Sequence, residues 1–380
     1  MFDQFYKDKK VLVTGHTGFK GSWLSQWLLM LGAEPYGYSL EPETESSLFR
    51  QLGLDKQMSY QIDDIRDRQA IERAIIEQQP DVVFHLAAQP IVRLSYRQPE
   101  STYETNVMGT VNLLGALRRL NKPCSVVVIT SDKCYENKEW LFGYREGDRL
   151  GGHDPYSSSK ACVEIAVESF RQSFFRSHLN HYISLATARA GNVIGGGDWA
   201  LDRIVPDSIR ALSRGDAICV RNPRATRPWQ HVLEPLSGYL LLAQHIYPGQ
   251  EDVADHKCSA YNFGPSVDSN IDVETLVERI LTHWPGTWED VSDPNAPHEA
   301  HLLHLNTDKA WHCLRWRPVW DFETTVTNTV KWYRDVIESE LNPEQTRELT
   351  QKQILSYCKH AQDQGQIWVC DEKIGEAIDA

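Results

Sequence analysis

The run Val11-Leu12-Val13-Thr14-Gly15-His16-Thr17-Gly18-Phe19-Lys20-Gly21 sets an apolar strand directly before three glycines at three-residue spacing and a helix-forming stretch. Such a unit is built to bind a dinucleotide. Gly15 allows a tight turn, Gly18 lets backbone approach a pyrophosphate, Gly21 permits close helix packing, and the helix N-terminus presents amide donors to the anion. A glycine triplet alone also fits an ordinary strand-to-helix turn, and its place in the first strand–helix unit of the chain is what favours the cofactor reading.

The rest of the N-terminal half keeps the same rhythm. Apolar strands are expected at 10–14, 34–39, 60–62, 81–87, 125–130 and 182–188, with helical spacing over 20–31, 68–77, 100–120 and 157–175. Alternating strands and helices predict an α/β fold, a doubly wound parallel sheet of the Rossmann type. After Gly191 the rhythm loosens, and only short strands are expected, near 218–220 and 261–263. The expected division is therefore a dinucleotide-binding domain over 1–190, a smaller substrate-binding region over 191–362 and a loosely attached tail over 363–380. The 380 residues, 41% hydrophobic and 24% charged, suit a globular chain. A net charge of −13 argues against a nucleic-acid partner. No apolar run reaches membrane-spanning length, and the opening 1–10 is too charged for a signal peptide, so a cytoplasmic protein is expected. No two of the eight cysteines have zinc or redox-pair spacing, and neither a metal site nor a disulfide framework is expected.

Tyr156-Ser157-Ser158-Ser159-Lys160 places a phenol and an ammonium on one helix face. A nearby ammonium stabilises phenolate, which would make Tyr156 a general base near neutral pH. The four-residue step is common by chance, and Tyr6 with Lys10 repeats it. Context favours Tyr156, which follows Thr130-Ser131-Asp132-Lys133 at the end of a very apolar strand, where ligands collect in open parallel sheets. Near the cofactor, Asp64 and Ile65 follow the third strand on the adenine side, and Leu86, Ala87 and Ala88 supply small residues where backbone must pass close. Glu41 stands where an acid would grip the adenosine ribose, or is a solvated loop carboxylate, so it does not decide NAD against NADP.

With Asn106, Gly109-Thr110, Tyr261-Asn262-Phe263-Gly264 and Trp316-Arg317-Pro318, these motifs resemble the extended short-chain dehydrogenase/reductase family over most of the chain. Within it, the wording of 15–21, Thr130-Ser131-Asp132-Lys133 and Gly195-Gly196-Gly197-Asp198-Trp199 is similar to the CDP-glucose 4,6-dehydratases. The resemblance implies bound NAD, a nucleotide-sugar substrate, a homodimer joined through two long helices per subunit, and a place in deoxysugar synthesis for lipopolysaccharide. It implies that Tyr156 takes the C4 hydroxyl proton, Ser131 bonds the same oxygen, and Lys160 holds Tyr156 and the nicotinamide ribose. Relatives acting on other nucleotides carry Asp then Glu where this chain has Asp132 and Lys133. Asp132 is expected as acid and Lys133 as base, with the reverse split open.

From Arg189 to His231 the chain has seven arginines, no lysine and four aspartates, a local balance of plus three suited to a diphosphate. By family position Arg227 would meet the diphosphate and Asn192 a phosphate or sugar, with Arg203 and Arg221 as further candidates. Trp199 is expected on a loop covering the substrate, and His298 in the nucleotide pocket or as a structural histidine. A 4-epimerase on the same scaffold would have no use for Asp132 and Lys133, and a cofactor-binding sensor no need for Ser131, Tyr156 and Lys160 together.

Overall fold

The computed structural model describes residues 1–176, 182–248, 257–293 and 302–369. Seven strands, β1 (Lys10–Thr14), β2 (Glu34–Ser39), β3 (Ser59–Ile62), β4 (Val82–His85), β5 (Cys124–Ile129), β6 (Ile183–Arg189) and β7 (Ala260–Asn262), form one sheet in the order β7-β6-β5-β4-β1-β2-β3. All its pairings are parallel. The order reverses at β1, which lies between β2 and β4. That reversal opens a crevice at the carboxyl ends of β1 and β4, the usual place for a ligand in such sheets.

Strict alternation along the strands divides the apolar residues between two faces. Val11, Val13, Val82 and Phe84 join one core with Trp23, Leu24, Trp27 and Leu28 of helix α1 (Phe19–Met30). Leu12, Val83, Val126 and Val128 join the other, packed by Ile71 and Ile75 of α2 (Arg68–Gln78), Leu113 and Leu117 of α3 (Gly109–Leu117), and Val163 and Val167 of α4 (Pro155–Phe174). Asp154 caps α4, its carboxylate accepting from the Ser157 amide at 2.9 Å, with Pro155 in the first turn. That cap sets where the helix starts and so which face Tyr156 and Lys160 occupy.

Three expectations need correction. The helix expected over 100–120 is an α-helical turn (Pro99–Tyr103), a π-helical turn (Glu104–Met108) and then α3. The fourth strand stops at His85 because the Ala87 amide bonds the Thr14 hydroxyl at 3.2 Å, turning the chain into the crevice. Finally, the tail is docked as far as Val369. Trp368 is buried and stacks on Phe2, ring centroids 5.1 Å apart, beyond the last long helix Pro343–Asp363. That helix is tied to the core by Glu234, a buried carboxylate accepting from the Val319 and Trp320 amides and the Tyr357 hydroxyl at 2.7–2.9 Å.

Candidate active site

The crevice is a cavity of about 1180 Å³ that brings together residues from most of the chain. At one end Gly15 turns with φ +75°, a conformation costly for any residue with a Cβ. A Cβ on Gly21 would lie 2.1 Å from the Gly15 carbonyl oxygen, so loop and helix close on each other only because that carbon is missing. Thr17, Gly18, Phe19, Lys20, Asp64, Ile65, Leu86, Ala87 and Ala88 all line the same end. Thr17 bonds Ser39 and the Leu40 carbonyl at 2.9 Å, holding the glycine loop to the end of β2. Arg66 binds Asp64 at 2.6 Å and, through that hydrogen bond, holds its carboxyl below the usual range. Glu41 lines the cavity but is largely exposed and pairs with Arg50 at 3.5 Å.

The His16 side chain does not belong with this set. Its ring is buried behind the loop, against Gly37, Phe49 and Tyr60, with Nδ1 3.1 Å from the Ser39 hydroxyl. Burial pushes its pKa down to about 4, so it is a neutral packing group, and only its backbone belongs to the loop.

At the other end Ser131, Lys133, Tyr156 and Lys160 share the wall. Ser131 caps the short 3-10 turn Asp132–Cys134 and also donates to Asp132 Oδ1 at 2.9 Å. Lys133 Nζ reaches the same oxygen at 3.2 Å. Asp132 is fully buried and does not reach the cavity, because Gly191 packs directly on its carboxylate: a Cβ there would lie 1.9 Å from Asp132 Oδ2. Lys133 is therefore the member of the pair that faces the cavity. Asp132 lies beneath it.

Tyr156 and Lys160 lie where the helix spacing puts them, but their electrostatics differ from expectation. Lys160 Nζ donates to the Ile129 carbonyl at 3.3 Å. Burial pushes Tyr156 up to about 12, outweighing a hydrogen bond from Ser131 that favours the phenolate. Lys160, lowered by its own burial to about 8, is not what tunes Tyr156 in this state. The competing pair resolves simply: Tyr6 is buried and donates to the Leu240 carbonyl at 2.6 Å, a core contact. Lys20 leans toward the same end. Its ammonium is lowered to about 7 by burial and by repulsion from Arg203, Lys160 and Lys133.

The substrate candidates line the remaining wall. Arg203 pairs with Asp198 and Arg221 with Asp202, each at 2.8 Å, which fixes both guanidinium planes. Arg227 sits on the strand Thr226–Pro228, its guanidinium bonding the Thr226 carbonyl at 2.8 Å. Asn192 adopts φ +50°, and its buried Oδ1 has no partner among the described residues. Trp199 is part of a fixed wall, its indole donating to Gln51 at 2.8 Å and meeting Tyr333 edge-on. His298 lies outside the described residues. Sequence reasoning missed Arg93, which lines the cavity 3.9 Å from Asp202, because it lies on a short helix with no motif around it. It also missed why Asn106 matters: its amide bonds Gln89 and Ser159, clasping the segment after β4 to α4 from the π-helical turn.

A glycine cradle, small residues beside it and a cationic far end fit an extended dinucleotide with a second anionic ligand. The model for the GDP-mannose 4,6 dehydratase family matches residues 12–329. The CDP-glucose 4,6-dehydratase of Salmonella typhimurium is 48% identical over 340 residues, covering 88% of this chain and 93% of that protein. The dTDP-glucose 4,6-dehydratase of Streptomyces antibioticus is 29% identical over 344 residues, 86% of this chain and 92% of that one. In three dimensions the fold is like dTDP-glucose 4,6-dehydratase from Streptomyces venezuelae, solved with NAD, with TM-score 0.72, 21% identity and 86% and 97% of the two chains covered. The family model over most of the chain and the 48% identical relative place this chain in the GDP-mannose 4,6 dehydratase family of extended short-chain dehydrogenase/reductases.

Proposed function

We propose that this chain is an NAD-dependent CDP-glucose 4,6-dehydratase, converting CDP-glucose to CDP-4-dehydro-6-deoxyglucose and water. The observation that carries the reading is the Ser131–Lys133–Tyr156–Lys160 wall with Asp132 locked beneath it, in a chain 48% identical over most of its length to a relative of that activity. NAD, held by the glycine cradle, Asp64, Ile65 and 86–88, would supply hydride acceptance at C4 and its return at C6.

The protein groups divide the proton work. Tyr156, acting as the phenolate that Ser131 and the Lys160 ammonium favour, takes the C4 hydroxyl proton with Ser131 on the same oxygen, leaving a C4 ketone. The ketone makes the C5 proton acidic. Lys133, as the free amine on the cavity wall, removes that proton, and the ammonium so formed, held by Asp132, gives it to the C6 hydroxyl, which departs as water. C5 takes a proton from solvent, and with the hydride that NAD would return to C6 no net redox change would remain. Arg203, Arg221 and Arg227 hold the diphosphate, with Asn192 at a phosphate or sugar oxygen. An epimerase would not need an acid–base pair beside Ser131.

The enzyme works as a cytoplasmic homodimer and supplies a 4-keto-6-deoxysugar for lipopolysaccharide synthesis. Tyr96, Met108 and Ile165 are exposed apolar residues on or near the stretches 100–120 and 156–175, where the family resemblance would put the pairing surface. The deciding experiment uses CDP-glucose deuterated at C4. The label is expected at C6 of the product, with a solvent proton at C5. Label retained at C4 refutes the reading.

A further inference from the structure

Glu164 is a carboxylate the mechanism leaves idle, yet it stands one helical turn beyond Lys160 on α4. It is 4% exposed and fully engaged. Oε2 accepts from Arg189 Nη2 and from the Thr187 hydroxyl, both at 2.8 Å, and Oε1 accepts from the Thr130 hydroxyl. Burial alone would raise this carboxyl, but Arg189 and the two threonines outweigh it and hold it below the ordinary range. Arg189, 3% exposed, also donates to the Tyr135 hydroxyl at 2.7 Å and the Glu146 carbonyl at 3.0 Å.

The pair thus sits under the active-site floor. Thr130 precedes Ser131, Tyr135 lines the cavity, and Arg189 ends β6 two residues before the Gly191 that covers Asp132. A buried ion pair is a weak device for stability, since apolar residues of the same volume hold a core as well or better. Its position beside Lys160 gives it a use. Burial of Lys160 favours the neutral amine, and Glu164 is the leading influence against this. The other groups facing Lys160 do not replace it. Cys134, on the 3-10 turn, is a buried thiol held well above its usual range; His85 of β4 is neutral, pushed down to about 3 by burial and by Lys160; Lys20 of α1 is a cation that Lys160 repels; Tyr156 lies one turn back on the same helix.

We propose that Glu164, fixed as a carboxylate by Arg189, Thr130 and Thr187, is a positioning residue that keeps the Lys160 ammonium charged at working pH, so that it can serve Tyr156 and the cofactor ribose. The inference rests on the reading of Tyr156 and Lys160 as the oxidation pair of a dehydratase.

Two variants of the full-length enzyme test it. Glu164→Gln removes the carboxylate, and Glu164→Gln/Arg189→Met removes both buried charges so that no unpaired guanidinium is left to unfold the site. In each, the basic limb of kcat/KM against pH is expected to move down by about one unit, as for loss of one nearby opposite charge. The loss is expected in kcat with little change in KM, and Glu164→Asp should restore much of it. A second readout needs no substrate: the pH dependence of Lys160 carbamylation by cyanate, followed by peptide mass spectrometry. Its midpoint should fall by a similar amount in both variants. A uniform loss of activity with the limb unmoved overturns the inference, as does an unchanged carbamylation midpoint in the folded double variant. A shifted midpoint in an enzyme that does not dehydrate CDP-glucose supports the positioning role and refutes only the reaction assignment.

Discussion

Tyr156 and Lys133 occupy one wall but answer to different neighbours, and their variants should separate the two halves of the reaction. Burial pushes Tyr156 up to about 12, against the hydrogen bond from Ser131. Tyr156→Phe should lower kcat by about 10²–10⁴-fold, the range for losing a general base, while CDP-glucose affinity, measured by calorimetry, stays within a few-fold. Lys133→Met should leave C4 oxidation intact and slow elimination, so reduced cofactor accumulates on the enzyme and is seen by its absorbance. Turnover at the native rate would remove Lys133 from proton transfer. The Tyr156–Lys160 spacing was legible because helix geometry makes residues four apart neighbours. The ammonium's hydrogen bond to the Ile129 carbonyl was not, because that partner comes from β5, thirty-one residues away in the chain.

At the scale of elements, the turn after each strand decides what the strand can present. Gly191 follows β6 and lies flat on the Asp132 carboxylate. Gly191→Ala should force the two apart, with a stability loss of about 1–3 kcal/mol, the usual cost of overpacking, read by calorimetry. Elimination should suffer more than C4 oxidation, because Lys133, which carries elimination, is held by Asp132, whereas oxidation keeps Tyr156 in place. Equal loss in both half-reactions would show Asp132 to be structural. The β1–α1 unit was readable to within a residue, since a glycine-bounded turn leaves little choice of boundary. The expected helix over 100–120 was not, because its π-helical turn is set by Asn106 bonding Gln89 and Ser159, contacts that exist only after the sheet has formed.

For the whole molecule, the exposed Met108 and Ile165, 51% and 59% accessible, are surface that a dimer would cover. Ile165→Glu should convert a dimer to a monomer at micromolar concentration by light scattering, because a charge on the packed face leaves a desolvated carboxylate unpaired. A wild-type monomer would refute the pairing. The chain's own pattern of apolar runs, glycines and caps determined the parallel sheet, the cofactor loop and the catalytic helix, because each is a local signal repeated at helix or strand period. Assembly decided the rest. Asp132 is sealed under Gly191, His16 turned to the core and Trp368 docked on Phe2 through contacts between residues far apart in sequence. Which buried charges work together is likewise a product of the tertiary structure, because the field at Lys160 depends on distances and solvent exclusion that no linear spacing encodes.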